Sequence, residues 1–182
     1  MSAASVELAR HPSTPAAAVR RIDVRVSRSA QGVLTLTYRL DGDIARLRIP
    51  AQQPPALTHN LWQHTCFEAF VAQVDASPYD ELNFSPSGEW AAYRFSSYRE
   101  IAGLADEALA PPISVRTTER TLELETAIDL DRLSPGYGRA ALQLGLAAVV
   151  EQNDATLSYW SLHHPAGKPD FHHASTRTLR IT

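Results

Sequence analysis

The sequence has few of the residues and patterns that mark several large classes of protein. Cys66 is its single cysteine, which excludes an internal disulfide framework. Its formal net charge is −3 and its basic residues form no run, so neither nucleic acid nor an anionic membrane is favoured as a partner. The longest apolar run, "LGLAAVV", is far shorter than the roughly 20 residues that a membrane-spanning helix needs. These absences predict a soluble protein that binds neither nucleic acid nor membrane.

The first residues also lack the pattern of a secretion signal. The stretch "MSAASVELARHPSTPAAAVRR" has no basic start followed by an uninterrupted apolar segment. We therefore expect a cytoplasmic protein. The alanine, serine and proline content of residues 1–18 predicts that this segment is flexible. Residues 19–182 are expected to form a single domain, since 44% of the chain is apolar and 20% is charged.

The dominant hydrophobic pattern has a period of two residues, which is typical of β-strands. "RIDVRV" and "VLTLTYRL" alternate in this way on either side of a short polar turn, which predicts a hairpin. A second hairpin is predicted where "SPSG" joins "YDELNFS" to "EWAAYRFS". Further strands are predicted in "TCFEAFVAQV", "ISVRTT", "TLELETAI", "LQLGLAAVV", "ATLSYWSL" and "TRTLRIT". This pattern predicts an all-β fold, a two-sheet antiparallel β-sandwich, with short helices at most over residues 97–109 and 129–133.

Successive side chains on a strand point to opposite faces, so each predicted strand offers one apolar face and one mixed face. If the central strands are neighbours in one sheet, the mixed faces together gather Glu68, Glu81, Asn83, Trp90, Arg94 and Trp160. Indole rings stack on the C–H faces of a sugar, and carboxylate, amide and guanidinium groups bond to its hydroxyls. This surface therefore suits a polyhydroxylated ligand. The alternative is an ordinary solvent-facing surface with an ion pair such as Glu68 to Arg94.

Five sequence blocks carry a resemblance to a known family. They are "NLWQHTCFEAFV", "YDELNFSPSGEWAAYRF", "LELETAIDLDRL", "LQLGLAAVVE" and "SYWSLHHPAGKPDFHH". In order and spacing they resemble the successive strands of the DOMON-like superfamily, which includes family 9 carbohydrate-binding modules, and they are most similar to a bacterial branch of it. The resemblance covers roughly residues 20–182. It implies a β-sandwich of two antiparallel sheets that holds a ligand on one concave face.

The resemblance also implies particular site residues. In the sugar-binding modules, a tryptophan, a glutamate on the next strand and an arginine after the following turn touch the sugar. These match Trp62, Glu68 and Arg94 here. A second stacking tryptophan matches Trp160, with Phe171 as the alternative. Haem-binding relatives use a methionine and a histidine as ligands, but the single methionine of this chain is its first residue, so haem is disfavoured and no cofactor is expected.

The segment "HHPAGKPDFHH", residues 163–173, holds four of the seven histidines. Its prolines and glycine predict a loop at the rim of the binding face. The groups expected to face a ligand are His163, His164, Lys168, Asp170 and His172. The alternative is a metal site or metal-dependent enzyme centred on His163, His164, His172 and His173. Adjacent histidines on extended backbone point in opposite directions, which favours the rim loop.

These observations predict a non-catalytic domain that binds a saccharide or a sugar-containing metabolite on one concave sheet face. We expect Trp62 and Trp160 to stack on the ligand. We expect Glu68, Asn83 and Arg94 to form hydrogen bonds with it, while the loop closes one side. A protein-interaction module that has the fold but no ligand is the remaining alternative.

Overall fold

The computed structural model describes residues 2–104 and 107–182, and its strands form two antiparallel sheets. In chain order the strands are β1 (Ser2–Glu7), β2 (Ala9–Arg10), β3 (Val19–Arg28), β4 (Val33–Gly42), β5 (Cys66–Gln73), β6 (Tyr79–Phe84), β7 (Trp90–Ser97), β8 (Glu100–Leu104), β9 (Ile113–Thr117), β10 (Thr121–Asp129), β11 (Leu142–Glu151), β12 (Leu157–Ser161) and β13 (Leu179–Ile181). The first sheet has the order β1-β3-β4-β10-β9. The second has the order β2-β12-β11-β5-β6-β7-β8, and β13 pairs with β11.

The two sheets pack face to face and enclose one large hydrophobic core. Alternate residues supply it, such as Ile22 and Val24 of β3 and Phe67 of β5. Each such side chain contributes about 1.5–3 kcal/mol when it leaves water. A hydrogen bond also joins the sheets, since the Tyr38 hydroxyl donates to the backbone oxygen of Glu68 at 2.7 Å. The predicted β-sandwich is therefore confirmed.

The predicted hairpins are present, and the one between β6 and β7 sets the geometry of the site. Its turn is closed by hydrogen bonds from Ser85 N to Glu89 O at 2.9 Å and from Gly88 N to Ser85 O at 3.0 Å. Gly88 has a φ of +95°, a conformation that glycine adopts without steric cost. The turn pairs Phe84 with Trp90 and therefore decides which side chains of β7 share a face with those of β6.

One α-helix, α1 (Leu130–Leu133), occupies the predicted region 129–133. Asp129 caps it by accepting hydrogen bonds from the backbone of Asp131 and Arg132. Short 3-10 helices cover Ile44–Arg46, Leu61–Gln63, Glu107–Leu109 and Ala174–Thr176. Within the described part of the chain, every helix is too short or too polar to cross a bilayer.

The helix predicted over residues 97–109 is wrong where the structure describes it, except at Glu107–Leu109, which forms a 3-10 helix. Glu100–Leu104 forms β8, which pairs with β7 at the edge of the second sheet. Local helical propensity is weak compared with a ladder of backbone hydrogen bonds to a neighbouring strand. Residues 105 and 106 lie outside the described residues.

The expectation of a flexible segment over residues 1–18 is also corrected. β1 pairs with β3 from Ser2 opposite Arg28 to Glu7 opposite Asp23, and β2 pairs with β12 in the other sheet. Leu8 lies between these two strands and is 1% exposed in the core. The segment is ordered because it covers the edge of β3 and anchors one leucine between the sheets.

Candidate functional site

The outer face of the second sheet, which points away from the first sheet, carries the candidate site. Cross-strand pairing places Glu68 of β5 opposite Asn83 of β6. It also places Glu81 of β6 opposite Tyr93 of β7, and directly paired residues lie on the same face. Phe67 belongs to the core between the sheets, so its neighbour Glu68 points outward.

A cleft of about 560 Å³ opens on this face. The cleft has an acidic floor, formed by Glu68 and Glu81, and a basic rim, formed by Arg99 and Lys168. Its walls are aromatic and apolar, and they consist of Trp62, Tyr93, Phe95, Ile101, Val149, Tyr159, Pro169 and Phe171. Asn60 and His172 complete the lining. The cleft thus combines flat rings with a few charged groups.

Two buried carboxyl groups form the floor of the cleft. Glu68 is 3% exposed and Glu81 is 5% exposed. Burial, followed by the nearby Glu81, raises the pKa of Glu68 well above its ordinary range. Burial also raises the pKa of Glu81, but a hydrogen bond from Asn83 Nδ2 at 2.8 Å and the charge of Arg99 oppose this shift. Glu68 is therefore the group that stays protonated, and Glu81 is the one that ionises first.

The Oε1 atom of Glu68 is buried and has no hydrogen-bond partner among the described residues. Buried polar atoms are nearly always satisfied, because leaving one unpaired costs about 1–3 kcal/mol. Glu68 lies at the floor of an open cleft. A water or a bound molecule that reaches Oε1 from the cleft would supply the missing partner.

His172 packs over this floor. Its Nδ1 atom shares a hydrogen bond of 2.9 Å with the Tyr79 hydroxyl, which also accepts a hydrogen bond from Arg99 N at 3.2 Å. Its Nε2 atom lies 3.6 Å from Glu81 Oε2. Burial, followed by the positive charge of Arg99, lowers the pKa of His172 to about 4. A neutral imidazole therefore lies beside the Glu81 side chain at neutral pH.

The walls come from separate parts of the chain. Trp62 sits on the 3-10 turn that follows Asn60 and remains 48% exposed at the mouth of the cleft. Tyr93 is held by a hydrogen bond of 2.9 Å between its hydroxyl and His59 Nδ1. Phe171 is buried and packs against Tyr159 with ring centroids 6.1 Å apart. The rings of Tyr93 and Phe171 are thus held by neighbouring side chains.

The rim is built around Arg99, which follows β7 with a φ of +57°. Its Nη2 atom donates to Asp170 Oδ1 at 2.9 Å, and its Nε atom donates to the Tyr98 hydroxyl at 3.3 Å. The Tyr98 hydroxyl in turn donates to Asp170 Oδ2 at 2.6 Å. This network ties the turn between β7 and β8 to the histidine loop and holds the guanidinium beside the cleft.

Some of the residues predicted to bind a ligand come together in the cleft. Trp62, Glu68, Lys168, Phe171 and His172 all line it. Asn83 is fully buried beside the floor and acts through its hydrogen bond to Glu81. Asp170 lies at the rim, where Tyr98 and Arg99 occupy its oxygens. Their roles in binding remain predictions.

Three predicted site residues lie on the opposite side of the sheet. Trp90 is 2% exposed and Trp160 is 5% exposed, and both pack in the core between the sheets. Arg94 forms an ion pair with Asp80 at 2.9 Å and donates to the backbone oxygen of Leu133 at 2.7 Å. The register explains this, because Trp90 pairs with core-facing Phe84. The partner of Arg94 is therefore Asp80, so among the described residues Arg94 has neither its expected place in the cleft nor the alternative ion pair with Glu68.

The histidines of the loop do not converge. His164 Nε2 bonds to Ala9 O at 2.8 Å, while His173 Nδ1 bonds to Ser175 Oγ at 2.7 Å. His163 is exposed and is absent from the lining of the cleft. Across the described ranges, no group of three or more His, Cys, Asp or Glu side chains is arranged to hold a metal ion. The structure thus offers no support for the metal-centred alternative.

Sequence reasoning missed several residues of the cleft, notably Tyr93, Phe95, Arg99 and Tyr159. Arg99 fell inside the wrongly predicted helix. The aromatic residues fell on strand faces that were assigned to the core because they are apolar. The sequence did contain a signal for the register of β7. Glycine as the last residue of "SPSG" predicts a three-residue turn, and a turn of that length pairs Glu81 with Tyr93 and so places both on one face.

No family model matches the chain, and no curated protein matches it. Among solved structures, its fold is similar to that of a proposed carbohydrate-binding protein from Bacteroides uniformis, with a TM-score of 0.70 and 12% identity. That likeness covers 96% of this chain and 83% of the other. At this identity it establishes the fold alone.

A family 9 carbohydrate-binding module from Caldicellulosiruptor kristjanssonii is a more distant likeness. Its complex with glucose has a TM-score of 0.47 and 12% identity, over 81% of this chain and 69% of that chain. Its complex with cellotriose has the same TM-score and identity, over 85% of this chain and 75% of that chain. No residue of the present cleft takes a role from either complex.

Proposed function

We propose that this protein binds a saccharide in the cleft without carrying out chemistry on it. The observation that carries the proposal is the unpaired Oε1 atom of Glu68, which is buried within the described structure at the floor of a cleft with aromatic walls. A sugar hydroxyl both donates and accepts hydrogen bonds, so it can satisfy this atom. The cleft volume also falls within the range of about 300–1,000 Å³ that small-molecule sites occupy.

The walls and the floor suit different parts of a sugar. The rings of Trp62, Tyr93 and Tyr159 offer flat apolar surfaces for its C–H faces. On the floor, protonated Glu68 can donate a hydrogen bond and the Glu81 carboxylate can accept one. A polyol with hydroxyls around a flat ring meets both requirements, whereas a purely apolar ligand would leave the floor unsatisfied. The similar fold of a proposed carbohydrate-binding protein agrees with this function.

The arrangement of the two carboxyl groups supports binding rather than hydrolysis. Glu68 and Glu81 belong to the adjacent strands β5 and β6 and lie together on the floor of the cleft. The two carboxyl groups of a glycosidase instead flank the bond that is cleaved. Here both groups lie on the floor of the cleft, so a ring bound in it would meet them on one side.

The proposal is tested by isothermal titration of the protein with neutral mono- and oligosaccharides. We expect at least one of them to bind, and we expect Trp62→Ala to weaken its binding by about tenfold or more, because the indole supplies a large stacking surface. Trp62 is half exposed, so its removal should leave the fold intact. Circular dichroism and thermal unfolding of the variant check this.

Leu104→Ala is the matched control, because Leu104 is a large exposed apolar residue of β8 that does not line the cleft. Its affinity for the saccharide should equal that of the wild-type protein. An unchanged affinity in Trp62→Ala, or no binding of any saccharide by the wild-type protein, would overturn the proposal.

A further inference from the structure

A second and more open depression adjoins the cleft. Its volume is about 670 Å³, and we call it the rim depression. Arg99, Lys168 and Pro169 line both the cleft and the rim depression. The two concavities therefore adjoin at these three residues. Glu68 and Glu81 lie on the floor of the cleft, and basic side chains line the rim depression.

The charge of the rim depression differs from that of the cleft floor. Arg99 and Lys168 are cations, and Asp170 is the carboxylate between them. Asp170 already accepts hydrogen bonds from the Tyr98 hydroxyl at 2.6 Å, from Arg99 Nη2 at 2.9 Å and from His172 N at 3.1 Å. Because these donors occupy its oxygens, Asp170 positions Arg99 and leaves an excess of positive charge in the depression.

Two further groups of the rim depression are placed to donate. Lys168 is the only lysine of the chain, and its ammonium group has no hydrogen bond or ion pair within the described residues. His173 Nδ1 accepts a hydrogen bond from Ser175 N at 3.2 Å. The proton of this imidazole is therefore on Nε2, which remains as a donor.

We infer that the ligand is an anionic sugar, whose neutral ring occupies the cleft and whose phosphate or carboxylate group occupies the rim depression. The inference rests on the proposed function, because it assigns a chemical class to the ligand of the same site. Hydrogen bonds from arginine and lysine to an anion are about twice as strong as those between neutral groups. An anionic group held by Lys168 and Arg99 thus adds affinity that a neutral sugar lacks.

The test compares neutral sugars with their anionic derivatives. The protein is titrated with glucose and N-acetylglucosamine, then with the 1-phosphates and 6-phosphates of both and with glucuronate. We expect at least one anionic derivative to bind about tenfold or more tightly than its neutral parent. The gain should shrink as the salt concentration rises, because the rim depression is open to solvent.

The variant Lys168→Ala should lose most of this gain, so that it binds the anionic derivative and the neutral parent with similar affinity. Arg116→Ala is the matched control, since it removes the same charge from an exposed site on β9 in the other sheet, and it should keep the gain. As a direct readout, reductive ¹³C-methylation labels the one lysine and the chain terminus. The Lys168 signal should shift when the anionic sugar binds and stay unchanged with the neutral sugar.

The outcomes separate this inference from the proposed function. If a neutral sugar binds and no anionic derivative binds more tightly, the inference is overturned and the proposed function stands. If neither class binds, both are overturned. A gain that persists in Lys168→Ala would overturn the placement of the anion in the rim depression.

Discussion

The pKa of Glu68 differs between the folded and the unfolded protein, so the charge of this residue depends on folding. In the folded protein, burial and the nearby Glu81 raise its pKa well above the ordinary range. In the unfolded chain the same carboxyl ionises at about 4.3. Its contribution to stability is fully present below that unfolded pKa and is lost as the pH rises through the folded pKa. Buried Glu68 therefore makes the protein less stable at higher pH.

Glu68→Gln tests this dependence, because glutamine keeps the shape of the side chain and removes its ionisation. His172 is present in both proteins, so the difference between their slopes reports on Glu68. Between the unfolded pKa and the raised folded pKa of Glu68, the free energy of unfolding falls by up to about 1.4 kcal/mol per pH unit, and the variant should lose that slope. Urea denaturation at several pH values measures it. Equal slopes in the two proteins would contradict a protonated Glu68.

Arg94 belongs to the site that the resemblance implies, but it does not line the cleft. Its ion pair with buried Asp80 is partly open to solvent, so Arg94→Ala should lower the free energy of unfolding by about 1–3 kcal/mol. Saccharide affinity should not change, because Arg94 points away from the cleft. Denaturation and titration of the same variant measure both quantities. A loss of affinity in a folded Arg94→Ala protein would return Arg94 to the site.

Residue types identified part of the cleft, and strand register decided the rest. Glu68 could be assigned to the outer face because apolar Phe67 and Ala69 flank it. The same reasoning failed for β7, where Trp90 and Tyr93 are both aromatic and lie on opposite faces. Composition does not distinguish the two faces of a strand that is aromatic on both sides. Only its pairing with the neighbouring strand does.

At the scale of elements, Leu8 joins β1 to β2, and its substitution tests whether the first strands pack against the core. Leu8 is buried between the two sheets, so Leu8→Ala should lower the free energy of unfolding by about 2–5 kcal/mol. Glu7→Ala, at the neighbouring exposed position, should have little effect. Thermal or chemical denaturation of both variants checks the expectation. A neutral Leu8→Ala would mean that the segment does not pack as described.

Most strands could be predicted from the two-residue period of their apolar side chains. This alternation, bounded by turn residues, is a local property of the sequence. The strand β8 could not, because Glu100–Leu104 has no apolar alternation and is mostly exposed at the sheet edge. It is a strand because β7 offers unpaired backbone groups beside it. β1 was missed for a similar reason, since its order comes from pairing with β3. Tertiary pairing, which a local pattern does not contain, decides such edge strands.

At the scale of the whole molecule, the sandwich follows from the sequence more readily than the cleft does. Two sheets that each have one apolar face can bury these faces in few ways. The fold class therefore follows from the alternation of apolar and polar residues along the strands. The cleft arises where the 3-10 turn at Trp62, strand β7 and the loop at Phe171 approach one another over the outer face. These segments are distant in sequence, so no local motif predicts that they lie close together.

Tryptophan fluorescence during titration with neutral saccharides tests the central claim most directly. Trp90 and Trp160 are buried in the core, whereas Trp62 is half exposed at the mouth of the cleft. We expect a saturable change in emission with at least one saccharide, and we expect Trp62→Phe to abolish this change. The absence of any change across the saccharides, or a change that persists in Trp62→Phe, would contradict sugar binding in this cleft.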